Sequence, residues 1–164
     1  MRFVDVHWHE HGFFVDPSAY LAELPRLRGL LPPGAWEFAS DPAHYDIPRG
    51  AGCVKDLELA GIHPATDKSG RLVLEFAPNR FKHDAGLRIT YSGVRHFSVE
   101  YHRAIDWLLV DSVLLDEILP DDGGEDGGGE DGDGAGGCVH EIALTDASIT
   151  VRCEDLTAEW LHAG

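Results

Sequence analysis

The stretch 53–101 constrains the fold most, because apolar and polar residues alternate along it in short segments separated by turn residues. The alternation is clearest at residues 72–76, 87–91 and 97–101. A period of two places one set of side chains on a core and the other set in water. The pattern therefore predicts an antiparallel meander of strands rather than helices.

The N-terminal part predicts one strand followed by a helix and an irregular cover. Residues 2–15 alternate and favour a first strand. Asp16-Pro17 provides an N-cap and a proline at the first helical position, and Pro25 should end or kink the helix that follows. Residues 25–50 carry five prolines, which favours an irregular segment lying over the core.

The apolar run at 106–119 has residues on both parities, so a helical stripe is possible, but we favour a strand from about Val110 to Leu119. Its expected partner is Val139–Thr145. A glycine-rich acidic insertion at 120–137 would lie between them and should be disordered, because it offers no apolar surface to bury.

The end of the chain predicts a hairpin and a short closing helix. With Asp146-Ala147 as a two-residue turn, Leu144 would face Ile149 and His140 would face Cys153, although Asp-Ala is a poor sequence for such a turn. The closing helix would begin near Glu154.

Taken together, these elements predict one mainly β (α+β) domain spanning residues 1–164. We expect an antiparallel meander of about seven strands, with two short helices, that forms a β-sandwich or a strongly curved sheet. A chain of 164 residues buries enough apolar surface to fold without a metal or a disulfide framework.

The net charge of the chain limits the classes of macromolecule that it could bind. The chain has 29 acidic and 13 basic residues and a net charge of −16. Seven acids and no base lie within 120–137, so the rest of the chain still carries −9. Such a surface repels nucleic acid and anionic membranes, and it suits a basic protein partner.

Cysteine usage and hydropathy predict a cytoplasmic protein. Cys53, Cys138 and Cys153 are odd in number and far apart, and they form no C-x-x-C motif, which favours free thiols in a reducing compartment. The first residues do not form a secretory signal, and no apolar run approaches the ~20 residues of a membrane span.

Three alternating histidines at the N-terminus form a candidate metal site. Neighbours in such a row lie about 6.6 Å apart along a strand, so His7 and His9 can share a zinc ion. His7 and His11 are about 13 Å apart and cannot share it. We favour the alternative that the histidines are the solvent face of a strand whose other face is buried.

His140 beside Cys153 is a second candidate, as half of a zinc site or as a nucleophile–base pair. Core packing is favoured here, because a catalytic cysteine needs a cationic and partly exposed setting. The sequence contains no P-loop and no G-x-S-x-G motif, so we predict no catalytic residues and no cofactor.

The order of segments in the second half resembles small bacterial β-rich families, some of which are classed as immunity proteins of toxin systems. The resemblance lies in five segments: His83-Asp84-Ala85, Tyr91-Ser92-Gly93-Val94, and the strand-like runs 113–118, 140–144 and 149–153. It implies a non-enzymatic protein that binds a basic protein partner. The alternative hypothesis is a small metal-dependent enzyme that uses His7 and His9 as ligands.

Overall fold

The computed structural model describes residues 1–48, 50–101, 112–123 and 136–162, which form ten strands and two helices. The strands are β1 (Asp5–His9), β2 (Gly12–Asp16), β3 (Glu58–Pro64), β4 (Leu72–Ala77), β5 (Ala85–Ser92), β6 (His96–Tyr101), β7 (Val113–Pro120), β8 (Cys138–Leu144), β9 (Ala147–Cys153) and β10 (Asp155–His162). The helices are α1 (Ser18–Leu27) and α2 (Pro33–Ala39).

All strand pairs are antiparallel, and they form three sheets. The strand orders are β10-β5-β4-β3 and β6-β9-β8-β7, with β1-β2 as a separate hairpin. Alternate residues of β4, β8 and β9 are buried, as expected for strands with one face on a core. The Tyr91 hydroxyl of β5 lies 2.8 Å from Nδ1 of His140 on β8, which joins the two larger sheets. The predicted mainly β sandwich is confirmed.

The meander is confirmed for β3, β4 and β5, which are neighbours in one sheet. Asp67 shapes the β3–β4 turn by accepting a hydrogen bond from the backbone N–H of Ser69. At Gly93 the chain leaves this sheet, and β6 pairs with β9 instead. Gly93 has a φ of +56°, and a Cβ there would lie 2.3 Å from the Glu154 side chain, so the crossing requires glycine.

The expected single strand at 2–15 is a hairpin. His9 faces Gly12, so Glu10 and His11 form a two-residue turn between β1 and β2. The helix after Asp16 is confirmed, but Pro25 lies inside α1 and does not end it. The proline-rich cover contains α2, whose first prolines occupy positions where a missing N–H costs little.

The prediction of a closing helix is wrong, because Asp155–His162 is strand β10 and pairs with β5 along its whole length. Leu156, Ala158 and Trp160 have the period-two spacing of a strand, with Leu156 buried. The Asp155 carboxylate also accepts hydrogen bonds from the backbone N–H groups of Gly34 and Ala35. These bonds attach the start of α2 to the sheet.

The β8–β9 hairpin exists, but its predicted register is wrong by two residues. His140 faces Val151, and Cys153 faces Cys138. The strands are connected by Thr145 and Asp146 rather than by Asp146 and Ala147, and the last register pair is Ala143 with Ser148.

The predicted pairing of β7 with β8 around the insertion at 120–137 is confirmed. Asp121, at the base of that insertion, forms ion pairs with Arg95 and Arg152, each at 2.9 Å. The expected disorder concerns mainly 124–135, which lies outside the described residues.

Candidate functional site

Two consecutive carboxylates on β7 point to opposite faces of their sheet, as strand geometry requires. Asp116 shares the inward face with Ile142, its register partner, and Glu117 shares the outward face with Glu141. The inward face belongs to the core of the sandwich, and the outward face carries the N-terminal hairpin. Each carboxylate therefore organises a different part of the molecule.

Glu117 fixes the start of the chain to the outer face of the sheet. Its carboxylate accepts hydrogen bonds from the backbone N–H groups of Arg2, Phe3 and Val4, at 2.7, 2.6 and 2.7 Å. Its side chain is 1% exposed. Three backbone donors satisfy a carboxylate that would otherwise be costly to bury.

Glu141 lies directly opposite Glu117 on β8, and two like charges in that position destabilise a sheet. The amino group of Met1 lies 2.8 Å from a Glu141 oxygen and offsets this repulsion. Together the two glutamates hold residues 1–4 across β7 and β8. The β1–β2 hairpin that follows is thereby placed above the sheet.

A cleft of about 490 Å³ opens between this hairpin and the outer face of the sheet. Its walls combine aromatic side chains of the hairpin with carboxylates, hydroxyls and small apolar groups of the sheet. The lining residues are Met1, Val6, His7, Trp8, Phe13, Glu100, Leu114, Glu141, Ile142, Ala143, Leu144, Thr145, Ala147, Ser148 and Thr150.

Trp8 is an exposed part of the cleft wall. Its side chain is 59% exposed, and its ring meets that of Phe13 edge to face at a centroid distance of 5.1 Å. On the sheet, Glu100 is exposed and Glu141 is half-buried. An aromatic face beside carboxylates suits a cationic group, which the ring quadrupole and the negative charges attract together.

His7 lines the same cleft, and Nδ1 of its ring lies 3.1 Å from Oδ1 of Asp5. The ring also packs on Phe14 at 4.9 Å. His9 lies in β1, but its side chain is outside the described part of the structure. No group of three His, Cys, Asp or Glu side chains within the described residues could hold a metal ion. The metal hypothesis for His7 and His9 therefore stays a prediction.

The proposed burial of one face of the first strand is only partly right. Val4 is buried beneath the hairpin, but Trp8 on the same parity is exposed. Trp8 lies just before the turn at Glu10-His11, and its indole lines the cleft.

A second cluster of titratable groups lies in the core. Asp116 is 2% exposed, and its two oxygens contact Nε2 of His44 at 2.6 Å and Nε2 of His140 at 2.8 Å. Nδ1 of His140 bonds to the Tyr91 hydroxyl, and Nδ1 of His44 lies 3.0 Å from the carbonyl oxygen of Phe38. The network joins both sheets to the segment that follows α2.

The hydrogen-bond partners of His44 and His140 indicate which ring nitrogens carry a hydrogen. A carbonyl oxygen can only accept, so Nδ1 of His44 carries a hydrogen, and an ionised Asp116 requires a second one on Nε2. Although burial opposes it, the pKa of Asp116 is held below its usual range by the charge of His44 and by hydrogen bonds from both histidines. His140 donates through Nε2 to the ionised carboxylate, and its Nδ1 bonds to the Tyr91 hydroxyl. Burial raises the pKa of Tyr91 well above its ordinary value.

This network contains residue types that occur in catalytic sites, but it leaves no room for a substrate. The cavity beside Asp116 measures about 10 Å³, roughly the space of one water molecule. Its other lining residues are apolar. We therefore assign the network to the stability of the sandwich and the candidate binding function to the open cleft.

The structure separates the pair that sequence analysis considered at His140 and Cys153. His140 bonds to Asp116 and Tyr91, whereas the Cys153 sulfur lies 3.5 Å from that of Cys138. Sequence analysis missed the core network, although Asp116 in the middle of an apolar strand was a signal for a buried, partnered acid.

Comparison with known proteins adds no relative: no protein-family model matches the chain, and no curated protein matches it. Among the residues that the structure describes, no helix is long and apolar enough to cross a membrane.

Proposed function

We propose that this protein is a non-enzymatic cytoplasmic binding protein that engages a basic protein partner. The observation that carries the proposal is the cleft that an exposed Trp8 lines together with Glu100 and Glu141. A lysine or arginine side chain of the partner would place its cation between the indole face and these carboxylates.

The charge of the whole chain supports the same proposal. Ion pairs with acids already engage six described basic side chains: Arg26, Lys55, Lys82, Arg88, Arg95 and Arg152. With a net charge of −16, a large negative excess remains after these pairs form. Such an excess steers cationic partners to the surface and accelerates association at low salt.

The resemblance to immunity-type families points in the same direction, since those proteins act by binding another protein. An enclosed catalytic pocket would argue for an enzyme. The polar network that looks most like one is instead packed between the sheets, next to a cavity of about 10 Å³.

The test uses a synthetic oligolysine peptide as probe, titrated by calorimetry at low ionic strength and again at about tenfold higher ionic strength. We compare the wild type with a cleft variant that carries Glu100→Gln and Glu141→Gln. The matched control carries Glu75→Gln and Glu159→Gln, which remove the same charge from the opposite sheet.

We expect the cleft variant to lose about tenfold in affinity, because exposed ion pairs contribute roughly 0.2–1 kcal/mol each. The control should bind like the wild type, and Trp8→Ala should weaken binding as well. Melting curves of every variant show whether the hairpin is still folded. Equal losses in the cleft and control variants, or no binding at low salt, would refute the proposal. Equally tight, cleft-dependent binding of the free polyamine spermine would show that the site serves small cations instead.

A further inference from the structure

Two of the three cysteines meet at one end of the β8–β9 hairpin. Cys138 is the first residue of β8, Cys153 is the last residue of β9, and the two are register partners. Their sulfur atoms lie 3.5 Å apart, and both side chains are buried. Cys53 is also buried, in the segment before β3.

This placement is close to what a disulfide needs. Directly opposite residues of an antiparallel pair have Cβ atoms about 4.5–5.5 Å apart, and disulfides join Cβ atoms about 3.5–4.5 Å apart. The sulfurs would have to approach by roughly 1.5 Å to reach bonding distance. A rotation of the two side chains with a small shift of the strand ends achieves this.

We propose that Cys138 and Cys153 form an oxidative modification site, at which a small-molecule disulfide converts the dithiol into an intrachain disulfide. One cysteine thiolate attacks a sulfur of the oxidant, and the first oxidant thiolate leaves. The other cysteine then attacks the protein sulfur of the mixed disulfide, and the second oxidant thiolate leaves. The two cysteine protons end on the two released thiols, and two electrons pass from the protein to the oxidant.

Access to the pair requires opening of the end of the hairpin. Gly136 and Gly137 precede Cys138, and opening must break the hydrogen bond from the N–H of Asp121 to the carbonyl oxygen of Gly137. Strand ends of this kind open more readily than the centre of a sheet. The hydrogen bond to Cys153 and burial raise the pKa of the Cys138 thiol, so the reaction should be slow at neutral pH and faster in alkaline solution.

The modification would bear on the candidate binding site, because β8 and β9 form part of its floor. Glu141 and Thr150 face each other across these strands and line the cleft. A disulfide at the end of the same two strands would hold that part of the floor together. The proposal does not depend on the identity of any partner.

The test incubates the folded, reduced chain with oxidised glutathione and follows it by intact mass and peptide mapping. We expect the mass to fall by two hydrogen atoms and a peptide pair linking Cys138 to Cys153, with an unchanged circular dichroism spectrum. Cys53→Ser should react in the same way. Cys153→Ser should lose this product and, at most, retain one glutathione on Cys138.

Three results would overturn the proposal. The first is a disulfide that includes Cys53. The second is a stable glutathione adduct on either cysteine of the otherwise wild-type folded chain, since the neighbouring thiol should displace it. The third is a folded chain that stays fully reduced at alkaline pH while the denatured chain oxidises.

Discussion

Replacing the buried Asp116 with asparagine should cost more stability than removing any single charge at the surface of this protein. The substitution keeps the size of the side chain but removes the charge that two histidines share. It also places an amide N–H₂ against ring nitrogens that donate. Breaking a buried charge pair costs about 3–5 kcal/mol, because it leaves an uncompensated charge in the core. For a chain of this length, such a loss lowers the melting temperature by roughly 6–20 °C.

The pH dependence follows from the direction of the shift. In the folded state the pKa of Asp116 lies below its unfolded value of about 3.9. The stability that this group contributes is therefore fully present above about pH 5 and is lost as the pH falls through the folded pKa. The difference in unfolding free energy between the wild type and Asp116→Asn should shrink on acidification.

Urea unfolding at pH 7 and at about pH 3, below the unfolded pKa of the carboxyl group, measures both effects. The control is Glu75→Gln, which removes a carboxylate that pairs with Arg88 near the surface. We expect its midpoint to stay close to that of the wild type. The reasoning fails if Asp116→Asn loses less than about 1 kcal/mol at pH 7, or if the control loses as much.

Three further predictions test other parts of the structure. Glu117→Gln should cost about 1–3 kcal/mol, and hydrogen exchange of the backbone amides at residues 2–4 should accelerate, because a neutral amide oxygen replaces the carboxylate that accepts all three. Nitrogen-15 NMR should show a hydrogen on Nδ1 of His44, and a bare Nδ1 would contradict the proton assignment. Purified protein should contain well under one zinc per chain by elemental analysis. A full equivalent that is lost when His7 and His9 are changed to alanine would favour the metal-dependent enzyme.

Period-two alternation predicted β4 and β5 well, since the buried residues of β4, and those of β5 from Leu87 onward, follow it. Leu156, Ala158 and Trp160 show the same period-two spacing, but a closing helix was predicted there instead. A register error of two residues leaves each side chain on the same face, which is why His140 was assigned to the core with the wrong partner. A turn sequence without Asn-Gly or Asp-Gly leaves the hairpin length open.

The candidate site could not be predicted, because it depends on contacts between distant segments. Glu117 meets residues 2–4 across more than a hundred positions, and His44 reaches Asp116 across 72. Local patterns carry no information on such pairings. The cleft exists because the hairpin turns at Glu10-His11, where the glycine, Gly12 with a φ of +131°, follows the two turn residues instead of lying between the strands.

Four acids of β6, β7 and β8 fall into two groups whose response to added salt should differ. Asp116 and Glu117 are buried and satisfied by internal donors, so added salt screens them little. Glu100 faces solvent and Glu141 is half-buried at the cleft, where charges are screened over a Debye length of about 8 Å at physiological ionic strength. Raising the salt concentration should therefore weaken binding of the oligolysine probe steeply while the unfolding free energy changes little. If salt lowered both in parallel, Glu100 would hold the fold together as Glu141 does through its ion pair with Met1, and the acidic surface could not be assigned to a partner.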